Sequence, residues 1–154
     1  IIMNEPQYLG RSLARFMAVQ ALYAMDVGQL SFSTIKEMLA FGHFGDGEDV
    51  NNLVDEDQGY FEKLVSGVAQ EQKKIDAALK VMLPKDWPLN RIDATLRALL
   101  RVATFELLLV SDVPVKVVLD EYIEIAKDFF DGEEQPKFVN GVLDGLVRHH
   151  GLGA

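Results

Sequence analysis

The stretch "ALLRVATFELLLV", residues 98–110, narrows the possible folds most. A helix drawn through 88–110 is apolar on nearly every face, and a helix that is hydrophobic all round is buried on all sides. The rest of the chain must therefore wrap it, which makes 88–110 the expected central post. The run is well short of the ~20 residues needed to span a bilayer, and Arg101 and Glu106 interrupt it. A lone buried charge is very costly, so both residues need partners or a route to the surface. Asp120 and Glu121 on the following helix are the candidate partners.

The wrapping elements also read as helices. Apolar residues recur at three and four over about 8–28, 31–42, 57–83, 88–110, 115–130 and 135–149, and the third or fourth of these is a candidate for a break. "VPVKVV" (113–118) is the one strand-like segment, but Pro114 suits the first turn of a helix better. Ser31 and Ser33 are candidate N-caps, and "SDVP" (111–114) supplies another. "LPKDWP" (83–88), with two prolines, divides the chain. Short connections favour antiparallel neighbours. The expected fold is all-α, a single domain over 1–154. It is a bundle of two packed three-helix halves, about 8–83 and 88–149.

Charge and composition exclude several function classes. The 154 residues carry a net charge of −9, which argues against a general nucleic-acid binder. Acid is concentrated between 42 and 62, where seven Asp or Glu occur without a Lys or Arg. Residues 42–56 are expected to form a mobile acidic loop that repels nucleic acid. Its "GHFGDG" lacks the lysine of a phosphate loop, and "DGEDVNNLVDED" lacks the spacing of an EF-hand. With no cysteine and only three histidines, His43, His149 and His150, no zinc spacing exists. No cofactor, metal or catalytic group is implied. The beginning "IIMNEPQYLGR" does not read as a signal peptide, and the absence of cysteine fits a reducing cytoplasm. An enzyme is not expected.

Two short segments remain to be explained. "QPKFVNGVLDGL" (135–146) reads as a helix yet holds two glycines, each costing roughly 1 kcal/mol against alanine. On a wheel at 100° per residue, Phe138, Val139, Val142, Leu143, Leu146 and Val147 fill one half. Lys137, Asn140, Gly141, Asp144, Gly145 and Arg148 fill the other. A bare backbone between Lys137 and Arg148 admits either a neighbouring helix or an RNA backbone. In "GRSLARFMAVQALYAMD", Arg11 and Arg15 stand one turn apart on one face at the helix start. They form either a solvated face or a phosphate-binding pair.

In order along the chain come "RSLARFMAVQALYAMD", "RALLRVATFELL", "SDVPVKVVLDEYIEIAK" and "KFVNGVLDGL". Together these resemble the NusB family of bacterial transcription antitermination factors, over about Arg11 to Leu146. The resemblance implies an all-helical fold of two three-helix subdomains. It also implies binding to the boxA element of nascent ribosomal RNA together with the small-subunit ribosomal protein NusE, helping RNA polymerase in an antitermination complex to read through terminators. Carried over by residue, the family's arginine-rich start falls on Arg11 and Arg15, and its "KFVNG" segment on Lys137, Phe138, Val139, Asn140 and Gly141. RNA would lie in a groove between these elements. Arg11, Arg15 and Lys137, exposed and without another evident partner in sequence, are its candidate phosphate contacts, Phe138 is its candidate base contact, and Asn140 and Gly141 are its support. Gln20 and Tyr23 match "QALY", whose tyrosine supports the binding region. Ser12 and Leu13 interrupt the arginine run, so the expectation is weak RNA binding alone and tighter binding with the partner.

Two rival readings stand beside this one. The first is a protein-interaction module without RNA contact. The second is the NusB-like domain that precedes the catalytic part of certain ribosomal RNA cytosine methyltransferases, for which this chain would be a fragment. Some family members self-associate, which leaves a homodimer as a further alternative. No membrane association is expected.

Overall fold

A computed structural model describes residues 8–40 and 55–153. Among them are six α-helices, one short 3-10 turn and no strand. The helices are α1 (Arg11–Val27), α2 (Phe32–Ala40), α3 (Asp55–Met82), α4 (Ala94–Leu109), α5 (Val115–Phe129) and α6 (Glu134–His149). The 3-10 turn is Leu89–Arg91. The expected acidic loop falls outside the described residues, except that Asp55 and Glu56 already belong to α3.

Both candidate breaks are present. Inside α3, Glu71 leaves helical geometry at φ −106° and ψ 17°. The element drawn over 88–110 is divided because Asp93 starts a new helix. Its carboxylate accepts from the backbone N–H of Thr95 at 2.9 Å and of Leu96 at 3.2 Å, satisfying donors that a helix start leaves free. Ser31 caps α2 in the same way, accepting from the Thr34 N–H at 3.1 Å. The cap expected from "SDVP" does not form. Pro114 is the N-cap residue of α5 without a side-chain bond, and Asp112 faces Arg11 instead.

α4 is the central post. It packs against α1, α3, α5 and α6, with Leu99, Leu100, Val102 and Ala103 wholly buried. One continuous apolar core runs from Met17, Phe61 and Leu64 through these residues to Tyr122 and Leu143. A fully buried leucine or phenylalanine contributes about 1.5–3 kcal/mol relative to exposure, so this contiguous packing holds the helices in register. α3 and α4 approach closely at Gly67, where an added Cβ would lie 2.1 Å from Cζ of Phe105. That contact fixes the preceding turns of α3 against α4, and Tyr60 projects from them.

The charges on α4 find partners other than the expected ones. Arg101 turns toward α3 and binds Asp76 through Nε at 2.9 Å and Nη2 at 3.1 Å. Arg97 binds Asp26 at the end of α1 through Nη2 at 2.7 Å and the Ile92 carbonyl through Nη1 at 2.9 Å. These pairs tie α4 to α1 and α3. They also remove two arginines from any free basic surface.

Candidate nucleic-acid interface

The first turns of α1 carry Arg11 and Arg15 four residues apart, so both side chains leave the same face. That face meets the ring of Tyr60 on α3. The Arg11 guanidinium lies 4.2 Å from the ring centroid and that of Arg15 lies 5.6 Å from it. Beyond this shared neighbour the two arginines diverge.

Arg15 is 3% exposed. Its Nε donates to both oxygens of Glu106 at 2.9 and 3.0 Å, and its Nη2 donates to Oε2 at 2.6 Å. Its Nη1 donates to Glu121 on α5 at 2.6 Å. The Glu106 carboxylate, itself wholly buried, accepts further bonds from the hydroxyls of Tyr60 at 2.6 Å and Tyr122 at 2.7 Å. Ser12 completes the cluster by donating to Glu121. The expectation of an exposed Arg15 without a partner is therefore corrected. A carboxylate buried in α4 needs a cation, and Arg15 supplies it. Glu121, expected opposite α4's own charges, joins by sharing that same arginine.

The electrostatics follow from this geometry. Burial, then the hydrogen bond to Glu106, pushes the Tyr60 phenol well above the usual tyrosine range. Burial and the charge of Glu106 raise Tyr122 likewise. Burial alone would lower Arg15, but its bonds to Glu106 outweigh that and hold the guanidinium above its ordinary value. The cluster is thus a charged pair with neutral phenols donating into it.

Arg11 faces outward. Its side chain is 43% exposed and pairs with Asp112 at a nitrogen–oxygen distance of 3.9 Å. At the other edge, Lys137 on α6 is 79% exposed, with Nζ 3.7 Å from Glu133. Phe138 is half-buried, and its ring centroid is 4.7 Å from that of Trp87, inclined at 52°. Trp87 keeps 39% of its surface. The sequence reading missed Trp87, although an aromatic in the proline-bounded "LPKDWP" was the available signal. Asn140 and Lys137 share a cleft of about 480 Å³ with Ile123 and Lys127 of α5.

Arg11 sits by Asp112, ahead of α5, while Lys137 adjoins Lys127 near the end of α5; Tyr8, three residues before Arg11, donates to Asp128 at that same end. Gln20 is half-buried and Tyr23 is 40% exposed. Tyr23 stands about 18 Å along α1 from Arg11 at 1.5 Å per residue, so it does not join that arginine. The two glycines have different surroundings. An added Cβ at Gly145 would lie 2.9 Å from Sδ of Met82, at the end of α3. One at Gly141 would meet nothing within 4 Å. Helix packing accounts for Gly145, whereas Gly141 leaves a bare, exposed floor beside Lys137.

Among the described residues no group of three or more His, Asp or Glu is placed to hold a metal. No helix among the described residues is long and apolar enough to cross a membrane. The described residues thus define an all-helical bundle that exposes the cationic side chains of Arg11 and Lys137. A family model described as the NusB family matches residues 12–148. The transcription antitermination protein NusB of Maricaulis maris is 46% identical over 138 residues, covering 90% of this chain and 86% of the relative. Its counterpart in Agrobacterium fabrum is 45% identical, with 90% and 83% covered. The solved structure of T. maritima NusB superimposes with a TM-score of 0.75 at 28% identity, over 92% of this chain and 93% of that one. A structure of the antitermination factors NusB and NusE in complex with double-stranded RNA matches at a TM-score of 0.73 and 26% identity, over 90% and 96%. The chain belongs to the NusB family.

Proposed function

We propose that this chain is a cytoplasmic transcription antitermination factor. It binds the boxA element of nascent ribosomal RNA together with NusE and supports read-through by RNA polymerase. It acts by binding, not by catalysis. The observation that carries the RNA contact is the α6 edge, where exposed Lys137 precedes Phe138 in its contact with partly open Trp87. A cation beside aromatic faces is what unpaired RNA requires, since bases stack on rings while phosphates meet the charge. Arg11 supplies a phosphate contact at the second edge. Asn140 and Gly141 border the first, and Gln20 and Tyr23 belong to the supporting body of α1. Arg15 acts indirectly, by holding α1 against α4 so that Arg11 is presented. With a net charge of −9, binding alone is weak and the partner adds basic surface.

One observation favours the protein-interaction reading without RNA contact: Arg15, half of the arginine pair, is spent inside the fold. Titration of a boxA-type single-stranded RNA with and without NusE separates the two. Salt-dependent binding strengthened by NusE supports the antitermination reading. Capture of NusE with no RNA contribution from this chain supports the other.

A further inference from the structure

The ring of Tyr60 has a third cation near it, beyond Arg11 and Arg15. Nζ of Lys63, one turn further along α3, lies 5.9 Å from the ring centroid, and Arg11 lies 4.2 Å from it. Lys63 is exposed, and among the described residues it has no ion-pair partner within 4.0 Å. Among the described residues, the ion pair that Arg11 makes is the long contact to Asp112. Two like charges gathered at one ring repel each other, and an anion between them relieves that repulsion. Tyr60 is well fixed for the purpose. It is 6% exposed, and its hydroxyl is held by Glu106 at 2.6 Å. Its face attracts a cation through the ring quadrupole and limits where the guanidinium can swing.

We propose that Arg11 and Lys63 form a phosphate seat for the RNA backbone, with Tyr60 as its positioning residue. This rests on the RNA-binding reading above and adds to it a cation from α3 and the ring that presents both. Arg15 is not part of the seat, because its charge is already met by Glu106 and Glu121.

The test is a double-mutant cycle with a boxA-type single-stranded RNA and NusE present. Lys63→Gln should weaken binding about fivefold near 0.1 M salt and lower the salt slope by about 0.7, as one lost phosphate contact does. Arg11→Ala should do the same. In a Tyr60→Leu background the effect of Arg11→Ala should shrink, because an unpositioned arginine has less to lose. Tyr60→Phe keeps the ring and should keep RNA affinity, even with stability reduced. It serves as the background with Lys63→Gln should Tyr60→Leu not fold. Additive effects of Arg11→Ala and Tyr60→Leu, or an unchanged slope for Lys63→Gln, would overturn the seat. Loss of RNA binding in Lys137→Ala alone, with Arg11 and Lys63 silent, would overturn the seat while leaving RNA binding by the family scaffold intact. Silence of all three cations would instead remove the RNA reading itself.

Discussion

Arg15 on α1 and Glu106 on α4 form an ion pair in which three nitrogen–oxygen contacts of 2.6 to 3.0 Å are sealed from solvent. The two residues are 91 positions apart in sequence. Neither charge reaches water, so each depends on the other.

Arg15→Ala should therefore destabilise the fold by about 3–5 kcal/mol, the range for leaving a buried partner uncompensated. Arg15→Lys should recover only part of this, since an ammonium cannot reproduce the guanidinium's bonds to Glu106 and Glu121 together. Urea unfolding followed by circular dichroism checks both. A stability change below about 1 kcal/mol for the alanine variant would contradict the burial of this pair.

Arg11→Ala and Lys137→Ala should behave in the opposite way. Both side chains are largely exposed, and their surface pairs are worth little. Unfolding midpoints should hardly move. The salt slope of RNA binding with NusE present should fall by about 0.7 per lost contact.

Gly141→Ala should stabilise α6 by up to about 1 kcal/mol, because the added methyl meets nothing and helix propensity improves. If RNA lies against the bare backbone there, the same variant loses affinity while gaining stability. Thermal melts and RNA titration on one preparation measure both quantities.

The Thr104 hydroxyl is buried on α4 and has no hydrogen-bond partner among the described residues. Thr104→Val removes that unmet polar group at nearly the same shape. Stability should rise by about 1 kcal/mol, the lower end of the cost of an unsatisfied group. Calorimetry tests it, and a lower melting temperature would count against the buried, unpaired state.

Alkaline pH should weaken the fold. The Tyr60 and Tyr122 phenols are held above the ordinary tyrosine value in the folded chain, whereas unfolded tyrosines ionise near pH 10. Above that pH the unfolded chain binds fewer protons than the folded one, so stability falls as pH rises. The contribution is complete below about pH 10 and is lost toward the raised folded values. Each phenol steepens the decline by at most about 1.4 kcal/mol per pH unit. Urea midpoints between pH 8 and 11 should show the decline, and Tyr60→Phe should make it shallower.

Much of this arrangement was legible in the sequence. The all-round apolar pattern of 98–110 marked α4 as the post, and the wheel of α6 separated Val139, Val142, Leu143 and Leu146 from its polar face, as their burial bears out. What could not be read was the pairing of charges. Spacing along one helix says which residues share a face, but not whether that face meets water or a carboxylate 91 positions away. Arg11 and Arg15 are alike by period, and Glu106 with Glu121 makes them different. Tyr60 had no local signal at all. Its role arises from the close approach of α3 and α4 at Gly67, a contact that periodicity cannot register.

The cluster around Glu106 draws one group from each of α1, α3 and α5 onto α4. Rotating any of these helices by a single residue turns a side chain through about 100° and leaves the buried carboxylate short of a donor. An apolar core tolerates such a slip far better, because one aliphatic side chain can replace another. Misassembled compact states of this chain thus carry a penalty that the correct one does not. Four helices in register are thus what the buried carboxylate requires, a check that aliphatic packing alone does not supply.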